Sequence, residues 1–194
     1  MHRLLMGKDM RTFLCIPIGE ALRVKLADLS SQFQRLVHVR ASWVRPENFH
    51  LTVRFLGEID PMLTVDLERC FRAVLERIPP FIAPINELGA FPSARRPRVV
   101  WAGGRAVAPF VQLVSLVEQE LAGFGFPRER KPSISHVTLA RIKGRVDGSV
   151  EEAICSLDGI PSWSLQAEQL VLMESRLTSR GAVYSPLFSL PMRG

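Results

Sequence analysis

Two short stretches of the chain alternate between polar and apolar residues around the same tripeptide, His-x-Thr. The first stretch covers residues 49–57 and the second covers residues 134–142. Side chains at positions i and i+2 of a β-strand share a face, so this alternation predicts two strands that each present one polar face. The side chains on these polar faces are His50 and Thr52 in the first strand, and His136 and Thr138 in the second.

The rest of the pattern predicts helices and further strands around these two motif strands. Apolar residues at helical spacing predict four helices, over residues 20–37, 61–78, 107–124 and 150–157. Shorter apolar runs predict strands over residues 11–17, 39–44, 81–88, 99–102, 163–175 and 183–190. Glycine and proline predict a loop over residues 89–93.

This order of elements is typical of an α+β fold in which helices pack outside antiparallel or mixed sheets. Each motif strand follows a helix-bearing segment, which favours an internal duplication into two similar lobes. No Gly/Ser-rich linker separates the halves, so we expect residues 10–194 to form a single bilobal domain. Residues 1–9 are predicted to be a disordered N-terminal extension without the features of a signal peptide.

The charge balance of the 194-residue chain indicates an anionic partner. The formal net charge is +6, and the basic residues include the clusters Arg95-Arg96-Pro97-Arg98 and Arg128-Glu129-Arg130-Lys131. A positive field concentrates polyanions, so RNA or a phosphorylated substrate is the expected ligand. No apolar run reaches the ~18–20 residues of a membrane span, so no membrane partner is expected.

The cysteines and histidines show no metal-ligand spacing. Cys15, Cys70 and Cys155 are far apart and lie in apolar contexts, as buried free thiols do. An odd cysteine count without a secretion signal predicts a cytoplasmic protein. We expect neither a metal site nor a cofactor.

Two histidines on one cleft can act as general base and general acid, one neutral and one protonated. Threonine hydroxyls beside them can donate hydrogen bonds to an anionic oxygen whose charge grows in the transition state. This set suits attack of water on phosphorus with departure of an alkoxide. It does not suit acyl transfer, because Ser133 and Ser135 lack the frame of an activated nucleophile.

At these residues the chain resembles the two-histidine phosphoesterase superfamily. Within it, the chain is most similar to the bacterial and archaeal RNA 2′,3′-cyclic phosphodiesterase family, also known as 2′–5′ RNA ligases. The similarity spans residues 10–192. Besides the two motifs it includes the segments Arg11–Ile18, Asn48-Phe49, Phe55–Glu58, Phe91-Pro92, Arg96–Trp101, Leu139–Arg141, Glu174–Leu177, Gly181 and Tyr184.

The resemblance implies a monomer with pseudo-twofold symmetry, in which the two sheets face a central cleft. It implies metal-independent hydrolysis of RNA ending in a 2′,3′-cyclic phosphate, or of cyclic nucleotides, to a 2′-phosphomonoester. By this resemblance His50 is the proton donor and His136 the proton acceptor, and Thr52 and Thr138 bind the phosphate oxygens. The assignment of acid and base to the two histidines stays open.

Two arginines are further candidates for phosphate binding. Strict alternation places Arg54 on the face of His50, and places Phe55 on the opposite, apolar face. Arg141 resembles an arginine that follows the second motif in the family. By alternation it faces away from His136, so a phosphate role requires a bulge or the end of the strand there.

Two rival functions stay open. The protein could be a non-catalytic module that binds RNA ends or nucleotides, or the same site could join RNA through a 2′–5′ linkage as a side activity. Four aromatic residues are candidates for stacking on a base, namely Phe91, Trp101, Phe124 and Tyr184.

Overall fold

The computed structural model describes residues 9–129, 134–157, 160–179 and 181–194. The expected disorder of residues 1–9 therefore concerns a segment that, apart from Asp9, lies outside the described residues, as do Arg130 and Lys131 of the second basic cluster. None of the described helices is both long enough and apolar enough to cross a membrane.

The described residues form ten strands, four α-helices and one 3₁₀ turn. The strands are β1 (Met10–Pro17), β2 (Ala41–Trp43), β3 (His50–Ile59), β4 (Phe81–Ile85), β5 (Glu87–Phe91), β6 (Val99–Gly104), β7 (Ser135–Ile142), β8 (Trp163–Ala167), β9 (Gln169–Thr178) and β10 (Gly181–Pro191). The helices are α1 (Glu20–Leu36), α2 (Leu63–Leu75), α3 (Ala108–Gly123) and α4 (Ser149–Ser156), and the 3₁₀ turn is Pro46–Asn48.

Eight of the strands form one sheet in the order β10-β9-β1-β3-β7-β6-β5, with β2 paired to β7. The predicted α+β class is confirmed, and all pairings in this sheet are antiparallel. The motif strands β3 and β7 are neighbours, joined by the pairing of Leu51 with Val137. We expected two sheets that face a central cleft. Instead, this pairing joins strands of both halves into one large sheet, and the second sheet contains only β4 and β8.

One predicted strand is wrong in detail. Residues 81–88 were expected to form a single strand followed by a loop over 89–93, but β4 and β5 are separate strands in different sheets. The chain changes sheet at Asn86, whose amide donates to the carbonyl of Gly103 at 2.8 Å. A short apolar run carries no periodicity that marks such a change, so the sequence pattern does not reveal it.

The helices cover one face of the large sheet. Helices α2 and α3 pack on the half that contains β3 and β10, whereas α1 packs on α4 and β7. The side chains of β3 and β7 that face these helices are buried, with Leu51, Val137 and Leu139 completely inaccessible to solvent. Antiparallel sheets commonly leave their second face open, and here that face bears the polar residues of both motifs.

Candidate active site

The central strand pair brings the two His-x-Thr motifs together. Leu51 and Val137 are paired across β3 and β7 and point into the core. The flanking residues point to the opposite, open face, and the antiparallel direction places His50 toward Thr138 and Thr52 toward His136. All four side chains are half-buried. The predicted convergence of two polar faces therefore has a geometric basis in a single strand pairing.

Each histidine ring is fixed by a backbone carbonyl two residues earlier in the chain. The Nδ1 of His50 lies 2.7 Å from the carbonyl oxygen of Asn48, and the Nδ1 of His136 lies 2.7 Å from that of Ile134. A carbonyl oxygen can only accept, so Nδ1 carries the hydrogen in both rings and donates it. In the neutral form, Nε2 is then the unprotonated nitrogen of each ring and is available as a base.

Aromatic rings form walls around each histidine. The ring of Phe13 lies 4.7 Å and that of Tyr184 5.4 Å from the His50 ring, measured between centroids. On the other side, Phe91 lies 5.0 Å and Trp101 6.1 Å from the His136 ring. These walls limit the orientations of the imidazoles and reduce their contact with water.

Three of the four residues considered for base stacking line this site, namely Phe91, Trp101 and Tyr184. The fourth, Phe124, lies at the C-terminal end of α3. Sequence reasoning gave no role to Phe13, because it lies in an uninterrupted apolar run that does not distinguish one face of β1 from the other.

Asn48 connects the first motif to the distant strand β10. Its side-chain amide donates to the carbonyl of Ala182 at 2.9 Å, while its own carbonyl accepts from His50. The position of Asn48, just ahead of the motif strand, was visible in the sequence. Its partner, 134 residues further on, was not.

A bulge after each motif threonine changes which later residues face the site. In β7, Thr138 pairs with Trp101 and Ala140 pairs with Val100, so Leu139 is an extra residue on its strand. Leu139 and Ala140 are both buried, and Arg141 returns to the open face. There its charge acts on both His50 and His136. The bulge that a phosphate role for Arg141 required is therefore present.

The equivalent bulge in β3 shows that the predicted placement of Arg54 on the face of His50 is wrong. Thr52 pairs with Cys15 and Arg54 pairs with Leu14, so Val53 is the extra residue. Arg54 consequently lies on the helix side, where it forms an ion pair with Glu118 of α3 and donates to the Phe55 carbonyl at 2.7 Å. Phe55 returns to the open face, where its ring lies 5.9 Å from that of Phe13. The expectation that Phe55 faces the core is corrected by the same bulge.

The surroundings lower the pKa of both histidines. Burial lowers the pKa of His50 to about 4, and the positive charges of Arg141 and His136 act in the same direction. Burial also lowers the pKa of His136, and again the charge of Arg141 adds to the effect. Each carbonyl bond at Nδ1 opposes these shifts without cancelling them. Both rings are therefore neutral near pH 7 when no anion is bound.

The two threonine hydroxyls are available to a ligand. Within the described part of the chain, neither Thr52 nor Thr138 has a hydrogen-bond partner for its side chain. Each lies two residues after its histidine on the same face, as the sequence predicted. Among the same described residues, no group of three or more His, Cys, Asp or Glu side chains is arranged to hold a metal ion.

An α+β fold in which two His-x-Thr strands meet on one open sheet face defines the chain as a two-histidine phosphoesterase. Residues 16–101 and 106–184 match the model of the LigT like Phosphoesterase family. The chain belongs to this family.

Curated relatives match over most of the chain. An RNA 2′,3′-cyclic phosphodiesterase of Aeropyrum pernix is 35% identical over 76% of this chain and 84% of its own length. A protein of the same name from Methanothermobacter thermautotrophicus is 29% identical over 91% of this chain and 96% of its own. The crystal structure of TT0787 from Thermus thermophilus has a TM-score of 0.77 and 27% identity, over 95% of this chain and 99% of that one.

Proposed function

We propose that the protein hydrolyses RNA ends that carry a 2′,3′-cyclic phosphate and leaves a 2′-phosphomonoester, without a metal ion. The observation that carries the proposal is the matched pair of imidazoles, each fixed by a carbonyl at Nδ1 with Nε2 left for proton transfer. The curated relatives that bear the name RNA 2′,3′-cyclic phosphodiesterase support the same substrate class.

In the proposed reaction, water attacks phosphorus in line with the bond to O3′. The Nε2 of His136 accepts a proton from the water as the new P–O bond forms. The Nε2 of His50 donates a proton to O3′ as the old bond breaks, which leaves the phosphate on O2′. His136 ends the cycle protonated and His50 neutral, and exchange with solvent restores the starting state.

The remaining groups of the site stabilise the phosphate. Thr52 and Thr138 donate to its non-bridging oxygens, whose charge increases in the transition state. Arg141 supplies a positive charge close to both imidazoles. Because the strands fix these groups before the substrate binds, little reorganisation is needed during the reaction.

The bound phosphate also supplies the protonation state that the mechanism needs. Without a ligand, burial and the positive charge of Arg141 favour neutral His50. A phosphate anion in the cleft favours the charged imidazolium and opposes both effects. The substrate therefore raises the pKa of its own proton donor when it binds.

The test replaces each histidine with asparagine, in the variants His50→Asn and His136→Asn. The asparagine amide can retain the hydrogen bond that Nδ1 makes to the carbonyl two residues earlier, whereas Nε2 is lost. We expect each variant to lose roughly 10²–10⁴-fold in kcat, because a general acid or base is removed. The assay is hydrolysis of a cyclic-phosphate RNA, with the position of the product phosphate determined.

The matched control is His38→Asn, since the side chain of His38 is exposed and lies outside the cleft. It should retain wild-type activity. Wild-type rates in the doubly substituted His50 and His136 variant would contradict the proposed roles. Tight binding of cyclic-phosphate RNA without turnover by the wild-type protein would instead indicate a binding module, and loss of activity in EDTA would contradict metal independence.

A further inference from the structure

A groove of about 650 Å³ opens on the site side of the sheet, next to His50. Phe13 and Tyr184, whose rings flank His50, line its inner end, and Arg141 lines it as well. The groove is thus continuous with the proposed phosphate site. Its volume falls in the ~300–1,000 Å³ range of pockets that hold organic ligands.

The groove concentrates positive charge. Its cationic lining residues are Arg11, Arg45, Arg141 and Lys143, and no carboxylate is among the described residues that line it. Acidic side chains lie outside this lining: Glu47 is 3.9 Å from Arg45, with both side chains more than half exposed, and Glu58 pairs with Arg11 across β3 and β1. Arg141 alone can bind a single phosphate. The additional cations therefore favour a ligand with several phosphates, such as an extended polyanion.

An exposed aromatic ring lies in the same groove. Phe55 is 50% exposed, although it lies in the central strand β3. Phe13, its partner on β1, is buried. The bulge in β3 holds it on this face. Exposed aromatic rings beside a basic track are the features with which proteins bind single-stranded nucleic acid, because bases stack on the ring while cations follow the backbone.

We propose that this groove binds the nucleotides on the 5′ side of the cyclic end, so that single-stranded RNA is preferred over free cyclic mononucleotides. A cyclic phosphate occupies the 3′ terminus, and the rest of the RNA must therefore leave the site from its 5′ side. Arg11, Arg45 and Lys143 contact its backbone phosphates, and Phe55 stacks on a base. The inference rests on the proposed function, and it adds the length and strandedness of the substrate.

The test compares two substrates of the wild type and of the variants Arg11→Ala and Lys143→Ala. One substrate is a short single-stranded oligoribonucleotide with a 2′,3′-cyclic end, and the other is 2′,3′-cyclic AMP. The ratio compared is kcat/KM for the oligonucleotide divided by kcat/KM for 2′,3′-cyclic AMP. We expect this ratio to fall about tenfold in each variant, because one charge-assisted contact to the oligonucleotide is lost. The salt dependence of oligonucleotide KM should also weaken, by about 0.7 in the log–log slope per lost contact.

The matched control is Lys25→Ala, which removes the same charge from an exposed position on α1. It should leave the ratio unchanged. A ratio that is equal in the wild type and both groove variants would overturn the inference, as would a wild-type preference for the mononucleotide.

A further measurement separates this inference from the proposed function. If the wild type hydrolyses neither substrate, the proposed function fails, and binding of the same oligonucleotide with a 3′-phosphate end is measured by fluorescence anisotropy. Weaker binding by Arg11→Ala and Lys143→Ala, but not by Lys25→Ala, would still support the groove. Equal binding by all of these proteins would refute it.

Discussion

Each motif histidine, the proposed proton-transfer group, takes its local support from the residues just ahead of it. The imidazole donates to the carbonyl two positions earlier, so the ring orientation is fixed by the backbone just ahead of each strand. The reactivity of the ring depends instead on distant parts of the chain, because burial and the charge of Arg141 lower the pKa of both histidines. The sequence could therefore indicate which residues are candidates for proton transfer, but not the pH at which they would titrate.

The lowered pKa values lead to a prediction about the rate profile. We expect kcat/KM to be bell-shaped with its optimum below pH 6.5, the ordinary pKa of histidine, because this constant reports the ionisation of the free enzyme. The profile in kcat should lie at higher pH, since bound phosphate favours the imidazolium. Both limbs report the interacting pair rather than single residues. Initial rates across pH, at substrate concentrations below and above KM, measure the two profiles. A kcat/KM that rose with pH above 6.5 would contradict this account.

Two arginines that look alike in sequence are expected to respond differently to substitution. Arg54→Met should lower the free energy of unfolding by roughly 1–3 kcal/mol with little effect on kcat. Its partner Glu118 is only 16% exposed and would be left without its ion pair. Arg141→Met should lower kcat/KM by roughly 10²-fold, as loss of a transition-state contact does, and leave stability within ~0.5 kcal/mol.

Urea denaturation and initial rates on the same two preparations check both predictions. Because both substitutions remove one positive charge and introduce the same side chain, each variant is the control for the other. If folded Arg54→Met lost as much activity as Arg141→Met, Arg54 would have a role in the reaction, and its structural role as the partner of Glu118 would not be sufficient.

At the scale of single elements, the bulges explain where sequence reasoning succeeded and failed. Alternation correctly placed His50 and Thr52 on one face because no bulge lies between them. It failed for Arg54 and Phe55 because Val53 is an extra residue in β3. A bulge depends on the register of two paired strands, and a pattern along one strand does not contain that register.

The close approach of β6 to β7 provides a test at the level of a strand pair. Gly103 is the partner of His136, and a Cβ at Gly103 would clash with the Ser135 carbonyl oxygen and lie 3.2 Å from the Cβ of His136. Gly103→Ala should therefore push the strands apart, cost ~1–3 kcal/mol and reduce kcat.

The control for this strand test is Gly123→Ala, at the end of α3. A Cβ at Gly123 meets nothing within 4 Å, so this variant should be neutral or slightly stabilising. Thermal denaturation and kcat of the two variants decide the matter. Equal stability of the two alanine variants would show that the strands can separate at His136 without cost.

For the whole molecule, the sequence pattern was sufficient to predict the fold class. It was not sufficient to predict how the strands of the two halves pair with each other. Amphipathic stripes located α1, α2 and α3 because helices on a sheet must bury one face. The pairing of Leu51 with Val137, which makes one sheet of both halves, follows from no local signal. Partner choice between strands far apart in the chain is decided by the packed fold as a whole.

The neutral histidines should make the stability of the molecule depend on pH. The unfolded chain binds a proton at His50 near pH 6.5, whereas the folded chain does so only near 4. Stability should therefore be retained above 6.5 and be lost as the pH falls from 6.5 toward 4, by about 2 kcal/mol from His50 at pH ~5. His136 shifts in the same direction and adds to the loss.

Chemical denaturation at neutral and acidic pH measures this dependence, with His50→Asn as the comparison. Asparagine does not titrate, so the variant should lose less stability between the two pH values than the wild type does. An identical pH dependence of the two proteins would mean that the folded state does not disfavour the protonated His50.

The bond from each imidazole to a carbonyl two residues earlier has a consequence for how such a site can arise. Residues 48–52 contain one imidazole, its orienting acceptor and its threonine, and residues 134–138 contain the second set. Each half-site is thus a self-contained pentapeptide that would keep its internal geometry if its coding segment were copied. Duplication of one half would deliver a second oriented imidazole with its threonine in a single event, and the burial and charge around the two copies would remain to be selected.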